Sequence, residues 1–491
     1  MANYLRSKTI RALSWSFFGN IWCYGVRFVI GIVLARLLFP EQYGLIGMLT
    51  IFIAVAQSFI DSGFSSALIQ KREVTPADLC SVFYFNIVIG VVAAGLLCLL
   101  APWVATFYKQ PILKPLMRVL SLTIVIGSFG NIHYILLTKQ INFKIQIRVG
   151  IFASVLSGIT GVAFAAAGFG VWSLAFQQIS SAFFQTVFLW LWNAWRPASI
   201  FSLKSLRDMF GFGSRLLASA LLIQIFGNIY LLVIGKFFSA TDLGFYTRAK
   251  NLAELPSRFF SWNVGLVTFP VFSVVQDDLA QLKRGLKKVL TFAVLVNFPL
   301  VIGLAIIARP LVLVLLTEKW AECIPYLQLF CGVELLFPVL LINQNLLQAL
   351  GRSNLFLRLE IINKCLLVMN IAITWQWGIS AMICGMIPLS IISCYLTCYY
   401  SGGLIGYPIW EQLLDLLPYL FMAMLMGLSV FAAGLVQFPN YWAMLLIQIT
   451  IGIVIYICLC RLFRLSAFME IWQEGWDKIS NLRSGMGRYC S

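Results

Sequence analysis

The chain has 491 residues, 61% hydrophobic and 11% charged, with 35 Lys and Arg against 18 Asp and Glu for a net charge of +17. Soluble domains carry about 45–50% apolar and about 25% charged residues, so a water-soluble globule is excluded. The apolar runs continue for about twenty residues without period-two alternation, which excludes a barrel and gives an all-α integral membrane protein.

In chain order, fourteen transmembrane helices are predicted, near 12–38, 44–69, 80–104, 116–138, 149–168, 171–194, 214–236, 244–272, 289–309, 324–349, 355–376, 378–400, 413–435 and 441–461. The first apolar run, after Arg6, Lys8 and Arg11, is long and carries Arg27, so it reads as a span and not as a cleaved signal peptide. With a cytoplasmic N-terminus, about 24 Lys and Arg fall on the inner side and about 9 on the outer, which places both termini in the cytoplasm. Because the basic residues sit mainly in short loops, the charge reports topology and no nucleic-acid partner is expected. Residues 1–195 form a six-helix lobe and 214–400 a second one. Between them, 196–213 set Phe201, Leu203, Leu206, Met209, Phe210 and Phe212 beside Lys204 and Arg207, a pattern for an amphipathic cytoplasmic linker lying on the membrane surface. Residues 401–491 supply two additional helices and a cytoplasmic tail. No outer loop much exceeds about twenty residues, too short for an extracytoplasmic domain.

The two lobes echo each other. Arg36–Leu45 (RLLFPEQYGL) returns as Lys236–Phe245 (KFFSATDLGF), with Gly44 matched by Gly244. Gly95 and Pro102 return as Gly303 and Pro310, and Leu136, Leu137, Ile147 and Arg148 as Leu346, Leu347, Leu357 and Arg358. The offset drifts only from about 200 to about 210, as in a duplicated unit. Six spans per unit is an even number, so both insert the same way up, related by an axis along the membrane normal.

Ionisable residues deep in the bilayer face a partner or a wet cavity. At 1.5 Å per residue, Arg27 lies about 22 Å into the first span and Arg258 about 21 Å into the eighth, beyond easy snorkelling. Arginine forks match a phosphate or pyrophosphate. The competing role is an ion pair, with Asp61 or Glu334 for Arg27 and with Glu254 for Arg258. Lys250, Glu254 and Arg258 make an i, i+4, i+8 stripe with Pro256 inside it. Arg248 and Lys250 are nearer the outer end, where snorkelling also explains them. Asp61, Glu254 and Glu334 are the candidates for ion coupling or pairing. Gln177, Gln178, Gln185, Gln224, Asn228, Asn343, Gln344 and Asn345 offer uncharged groups for hydroxyl-rich cargo or for helix-to-helix bonds. His133, the only histidine, reads as a cavity-facing polar residue. With one histidine, and twelve cysteines that lack paired metal spacing, no metal, cofactor or catalytic residue is expected.

Asp61–Glu73 (DSGFSSALIQKRE), Phe269–Asp278 (FPVFSVVQDD) and Thr317–Cys331 (TEKWAECIPYLQLFC), with the Tyr43 element, resemble the polysaccharide-transporter flippases, nearest to colanic-acid and teichuronic-acid exporters, over residues 36–360. The resemblance implies the multidrug/oligosaccharidyl-lipid/polysaccharide exporter fold, two six-helix lobes around a cavity plus two extra helices. It also implies alternating-access export of undecaprenyl-pyrophosphate-linked oligosaccharide across a bacterial cytoplasmic (inner) membrane for surface polysaccharide, beside polymerase and chain-length machinery. Membrane lipids and the lipid-linked oligosaccharide are then the partners, and Arg27, Arg258, Arg248, Lys250 and Asn228 the substrate-binding candidates, a placement the family motifs do not themselves give. The alternative is a multidrug or organic-cation extruder of the same superfamily, whose site is expected to be acidic.

Overall fold

The computed structural model describes residues 19, 22–61, 64–71, 73–140, 142–436, 440–470 and 472–473, with backbone alone at 66, 258–263, 265–267, 269 and 270. Among the described residues the regular structure is entirely helical. Helix α1 covers 22–37. It is followed by α2 (Pro40–Asp61), α3 (Phe64–Gln70), α4 (Pro76–Tyr108), α5 (Leu113–Leu120), α6 (Leu122–Lys139), α7 (Phe143–Ala166), α8 (Val171–Trp192) and α9 (Leu203–Phe237). Then come α10 (Ala240–Val274), α11 (Leu279–Ile306), α12 (Ala308–Leu315), α13 (Cys323–Glu334), α14 (Phe337–Ala349), α15 (Ser353–Thr374), α16 (Ile379–Ile405), α17 (Ile409–Gly434) and α18 (Tyr441–Leu462).

Among the described residues, ten helical stretches are long and apolar enough to cross a membrane. They coincide with ten of the fourteen expected spans, so this is a multi-pass helical membrane protein. The other four expected spans fall on α1, α8, α10 and α15. The last three carry Gln177, Gln178 and Gln185; Arg248, Lys250 and Glu254; and Arg358, Glu360 and Lys364. At 22 residues or more each is long enough for about 30 Å of hydrocarbon. Polarity, not length, separates them from the ten.

The chain divides into two compact units, Met1–Thr247 and Arg248–Ser491. The first owes its organisation to two matched joints. After α1, Leu38 N–H bonds the Leu34 carbonyl (2.8 Å), and after α9, Phe238 N–H bonds the Ile234 carbonyl (2.9 Å). One residue on, the Phe39 amide donates to Gln42 Oε1 (3.0 Å) and the Ser239 amide to Asp242 Oδ2 (3.2 Å). Helices α2 and α10 therefore start with the same side-chain cap. Their first turns then cross backbone to backbone. A Cβ on Gly44 would lie 1.6 Å from the Ala240 carbonyl oxygen, and one on Gly244 would lie 1.9 Å from the Pro40 oxygen. Only glycine fits at either place. The sequence correspondence of Gly44 with Gly244 is thus a reciprocal contact, each glycine receiving the first residue of the other helix.

Residues 196–213, expected as one surface linker, do two different things. The stretch 193–202 is non-helical and straps the ends of α4 and α6. Ser202 N–H donates to Ser81 Oγ (2.8 Å), and Tyr84 Oη donates to the Ala198 carbonyl (3.2 Å). From Leu203 onward the chain is already α9, continuous to Phe237 over 35 residues. In its first turns Leu206 and Met209 pack against Phe64, Leu68, Val82 and Phe83, whereas Leu203, Phe210 and Phe212 stay exposed. The expected linker boundary accordingly falls inside the first unit.

In the second unit α11 is the axis. Its Leu290, Val294 and Phe298 share one core with Tyr419, Met422 and Ala423 of α17, and Tyr456 of α18 bonds the Leu295 carbonyl (2.8 Å). The two final helices belong to this core. The expected tenth span is broken at 335–336, between α13 and α14, ahead of Pro338. Carbonyls freed by the break are taken up by side chains, Glu334 O by Ser257 Oγ (3.3 Å) and Leu335 O by Asn297 Nδ2 (3.1 Å). A break in a spanning helix is tolerated where side chains re-satisfy the backbone in this way.

Gly44→Ala or Gly244→Ala must separate two backbones and is expected to cost about 1–3 kcal/mol. Both should melt several degrees lower in detergent and accumulate less in the membrane. Gly95→Ala, with nothing within 4 Å of its added Cβ, should not. Equal melting of all three would refute the crossing.

Candidate functional site

The polar residues of the first unit collect around three adjoining cavities. The largest, about 690 Å³, lies among α2, α3, α6 and α8 and is lined by Gln57, Asp61, Asn131, Tyr134, Gln178 and Gln185 among others. A second of about 330 Å³ shares Gln57, Asp61 and Gln178 and adds Thr50 and Gln224. The third, about 290 Å³, lies among α1, α2, α7 and α8, shares Gln178 and Ser181, and contains Arg27, Tyr43, Ser154, Ser157 and Gln177. Shared walls make the three one cleft. Gln178 borders all of them.

Helical spacing explains why these side chains converge. On α8, Gln177, Ser181 and Gln185 are four apart, with Gln178 and Ala182 on the adjoining row, so one face carries the amides. On α2, Ile46, Thr50, Ala54, Gln57 and Asp61 follow at three- and four-residue steps on the face turned to the cleft.

Arg27 is exposed to its cavity although deep along its helix, and its Nε donates to Ser154 Oγ (3.2 Å). It forms no ion pair among the described residues. Its suggested partner Asp61 is held elsewhere, accepting from Asn131 Nδ2 (2.8 Å) and from Gln57 Nε2 (3.1 Å). Asn131 in turn accepts at Oδ1 from Ser65 Oγ (3.0 Å) and Asn86 Nδ2 (3.3 Å). The expected Arg27–Asp61 pair is therefore replaced by an arginine and a carboxylate at different stations of one cleft, each held by neutral hydrogen-bonding groups. Neutral donors leave most of either charge uncompensated for a ligand.

None of the other candidates is among the residues lining these three cavities. Asn228 donates to the Gln224 carbonyl one turn back (2.8 Å), an intrahelical bond that occupies its amide. Lys250 stands 3.9 Å from Glu254 in the second unit, so the stripe expected along α10 begins with an i, i+4 ion pair. Arg248 is half-buried on the same helix. The side chain of Arg258 lies outside the described residues. Glu334, 7% exposed, ends α13 at the helix break. Asn343 is committed to the core, its Nδ2 donating to the Val339 carbonyl (2.9 Å) and its Oδ1 accepting from Ser401 (2.7 Å), and Asn345 donates to Thr268 (3.1 Å). Sequence reasoning missed Gln57, Asn131, Ser154 and Tyr134. The signal available was the four-residue spacing of Gln57 from Asp61; Asn131 and Ser154 are isolated polar residues in apolar helices and carry no local pattern.

His133, expected to face a cavity, is fully buried instead. Its ring lies 4.9 Å from that of Trp190 and 5.4 Å from that of Trp195, and neither nitrogen has a hydrogen-bond partner. Arg196 locks this cluster, donating to the carbonyls of Trp190 (2.9 Å), Asn193 (2.6 Å) and Trp195 (2.7 Å), with its guanidinium 5.5 Å from the centre of the Trp190 ring. No metal-ligand group of three or more His, Cys, Asp or Glu occurs among the described residues. Since an unbonded polar group gains nothing from burial, His133→Leu should melt no lower than the parent, whereas Arg196→Ala, which strands carbonyls, should lose about 1–3 kcal/mol. A melting temperature that falls with His133→Leu and holds with Arg196→Ala would reverse these assignments.

The fold has known counterparts. A lipid II flippase, MurJ, in an inward closed conformation superposes with a TM-score of 0.74 over 91% of this chain and 98% of its own, at 16% identity. An inward-facing multidrug resistance transporter of the MATE family, in the MOP superfamily, gives 0.61 over 78% and 94%, also at 16% identity. These likenesses establish the fold of that superfamily. Among sequences, the lipopolysaccharide biosynthesis protein WzxC of Escherichia coli K12 is 29% identical over 402 residues, 80% of either chain. The teichuronic acid biosynthesis protein TuaB of Bacillus subtilis 168 is 30% identical over 61% of this chain and 62% of its own. The succinoglycan biosynthesis transport protein ExoT of Rhizobium meliloti 1021 is 27% identical over 66% of each. The model of the family described as "Polysaccharide biosynthesis protein" matches residues 33–325, more than half the chain, and the protein belongs to that family.

Proposed function

We propose that this protein is a flippase which moves an oligosaccharide carried on a lipid pyrophosphate, of the undecaprenyl type, across the cytoplasmic membrane by alternating access, for surface-polysaccharide synthesis. The observation that carries the reading is Arg27, an accessible arginine without an ion pair among the described residues, opening onto a cleft otherwise walled by amides and hydroxyls. The guanidinium takes the pyrophosphate through its planar fork. Gln57, Gln178, Gln185, Asn131 and the Asp61 carboxylate offer donors and acceptors to sugar hydroxyls, and the lipid tail stays in the bilayer. The relatives named for lipopolysaccharide, teichuronic acid and succinoglycan synthesis, and the lipid II flippase among the fold's neighbours, support the same substrate class. The rival reading, an organic-cation extruder, draws on Asp61, the one carboxylate lining these cavities; a cation would meet Arg27 in the same cleft.

Arg27→Ala is expected to insert normally, since no carboxylate among the described residues loses its partner, and to abolish surface polysaccharide measured per molecule of membrane protein. Arg27→Lys keeps the charge without the fork and should retain only a small fraction of export. Full export by Arg27→Ala would reject the pyrophosphate role. Increased drug sensitivity in a deletion strain with unchanged polysaccharide would favour the extruder.

For topology, the basic-loop asymmetry supports both termini in the cytoplasm. Reporter fusions at Arg196 and Lys283 should then report cytoplasm, and those at Pro111 and Lys319 the outside. One reversed reporter overturns the orientation.

A further inference from the structure

A cavity of the second unit, about 820 Å³, shares no lining residue with the cleft containing Arg27. It opens where α14 turns into α15 and α16 into α17, and its walls include Arg352, Arg358, Tyr395, Tyr399, Tyr400 and Trp410. We propose that this hollow binds the phosphate of an anionic lipid. The inference rests on the chain being a membrane protein and not on what it transports.

The carboxylates of α15 and α17, whose ends form the hollow, are each matched to a lysine, Glu411 to Lys283 (2.7 Å), Asp415 to Lys287 (2.7 Å) and Glu360 to Lys364 (3.4 Å), and Glu470 is matched to Lys288. Asp415 is further held by Tyr407 Oη (2.6 Å), and Lys283 also donates to the Gly406 carbonyl (3.0 Å). Arg352 and Arg358 are left over. Both are exposed, both line the same hollow, and neither makes an ion pair among the described residues. Two uncompensated guanidiniums converging on one space select an anion, and their forked geometry selects phosphate over a halide.

The remaining walls specify an amphiphile. Tyr395 and Tyr399 stack with ring centres 6.3 Å apart and planes 15° from parallel, and Tyr400 meets Tyr399 edge-on at 5.4 Å. Trp410 is 72% exposed beside Ile409, Leu404 and Leu355. Tyr and Trp rings sit at the headgroup level of a bilayer, where one side is apolar and the other wet. A free phosphate ion would use the arginines and leave this surface idle. A lipid phosphate uses both, with its charged non-bridging oxygens at the guanidiniums and its glycerol or prenyl carbons on the rings.

Two sources share that chemistry, the bulk anionic phospholipid and the phosphate of a polyprenyl carrier. The purified full-length protein in detergent can be titrated with phosphatidylglycerol, phosphatidylcholine or undecaprenyl phosphate and followed by native mass spectrometry and thermal melting. Wild type is expected to retain and be stabilised by at least one phosphate monoanion or dianion lipid and not by zwitterionic phosphatidylcholine. Arg352→Gln and Arg358→Gln should each weaken that binding about tenfold, the worth of one charge-assisted hydrogen bond. Their melting without lipid should stay at the wild-type value, because both side chains are exposed. Arg309→Gln, an exposed arginine of the same unit that does not line the hollow, is the control for lost charge alone. Retention of phosphatidylglycerol but not undecaprenyl phosphate assigns the site to bulk lipid, and the reverse assigns it to the carrier. Equal retention of phosphatidylglycerol and phosphatidylcholine without undecaprenyl phosphate, or equal loss in Arg309→Gln, overturns the proposal.

Discussion

Everything in the first unit hangs on the contact between Gly44 and Ala240 on one side and Gly244 and Pro40 on the other. Helices in lipid gain no hydrophobic advantage from touching one another, so close association depends on backbones near enough for dispersion. Here the backbones meet at the first turns of α2 and α10, and the approach fixes how α2 is rotated about its axis. One face of α2 carries Gly44, Gly47 and Met48 against Leu243, Thr247 and Gly235. The adjoining row is then obliged to present Thr50, Gln57 and Asp61 to the cleft. A one-residue slip would turn the carboxylate by about 100°.

The same constraint accounts for the helices that are less apolar than the rest. The cleft is walled by polar side chains, each of which lowers the mean hydropathy of the helix that bears it. Helix α8 carries this cost most openly, with three glutamines and three serines in 22 residues. It is kept in place by its neighbours: α7 lies against it at Gly161, whose missing side chain admits Gln177, and Thr186 donates to the Ile126 carbonyl of α6 (3.0 Å). Polarity is tolerated because packing supplies what lipid would not.

How much of this was legible beforehand differs by kind of feature. Spans are legible because about twenty apolar residues leave no other solution, and the matched joints because a duplicated element repeats its cap and its glycine at a fixed offset. Arg27 stood out by depth alone. Its partner did not, because choosing between Asp61 and a ligand requires the azimuth of α2, which follows from a contact some two hundred residues away in sequence. Leu206, Met209 and Phe210 look amphipathic whether the apolar face meets lipid or protein; the strap at 193–202 decides, by delivering α9 against α3 and α4. His133 misled for a related reason, since a lone imidazole in an apolar helix says nothing about whether two tryptophans close over it.

Arginine and carboxylate at separate stations of one cleft raise the question of why they do not collapse into a pair. An ion pair in a low-dielectric site gains Coulomb energy but must hold both groups in one geometry, and its desolvation often cancels the gain. Here each charge is anchored by neutral partners on different helices, Arg27 by Ser154 of α7 and Asp61 by Asn131 of α6 and Gln57 of its own helix. Those anchors keep the two apart. The consequence is a cleft with polarity along its length, cationic toward α1 and α7 and anionic toward α2 and α6. A ligand that is anionic at one end and hydroxyl-rich at the other meets complementary groups in one orientation and opposed groups in the other. Orientation is thereby selected by charge placement, without any contact that must recognise a particular sugar.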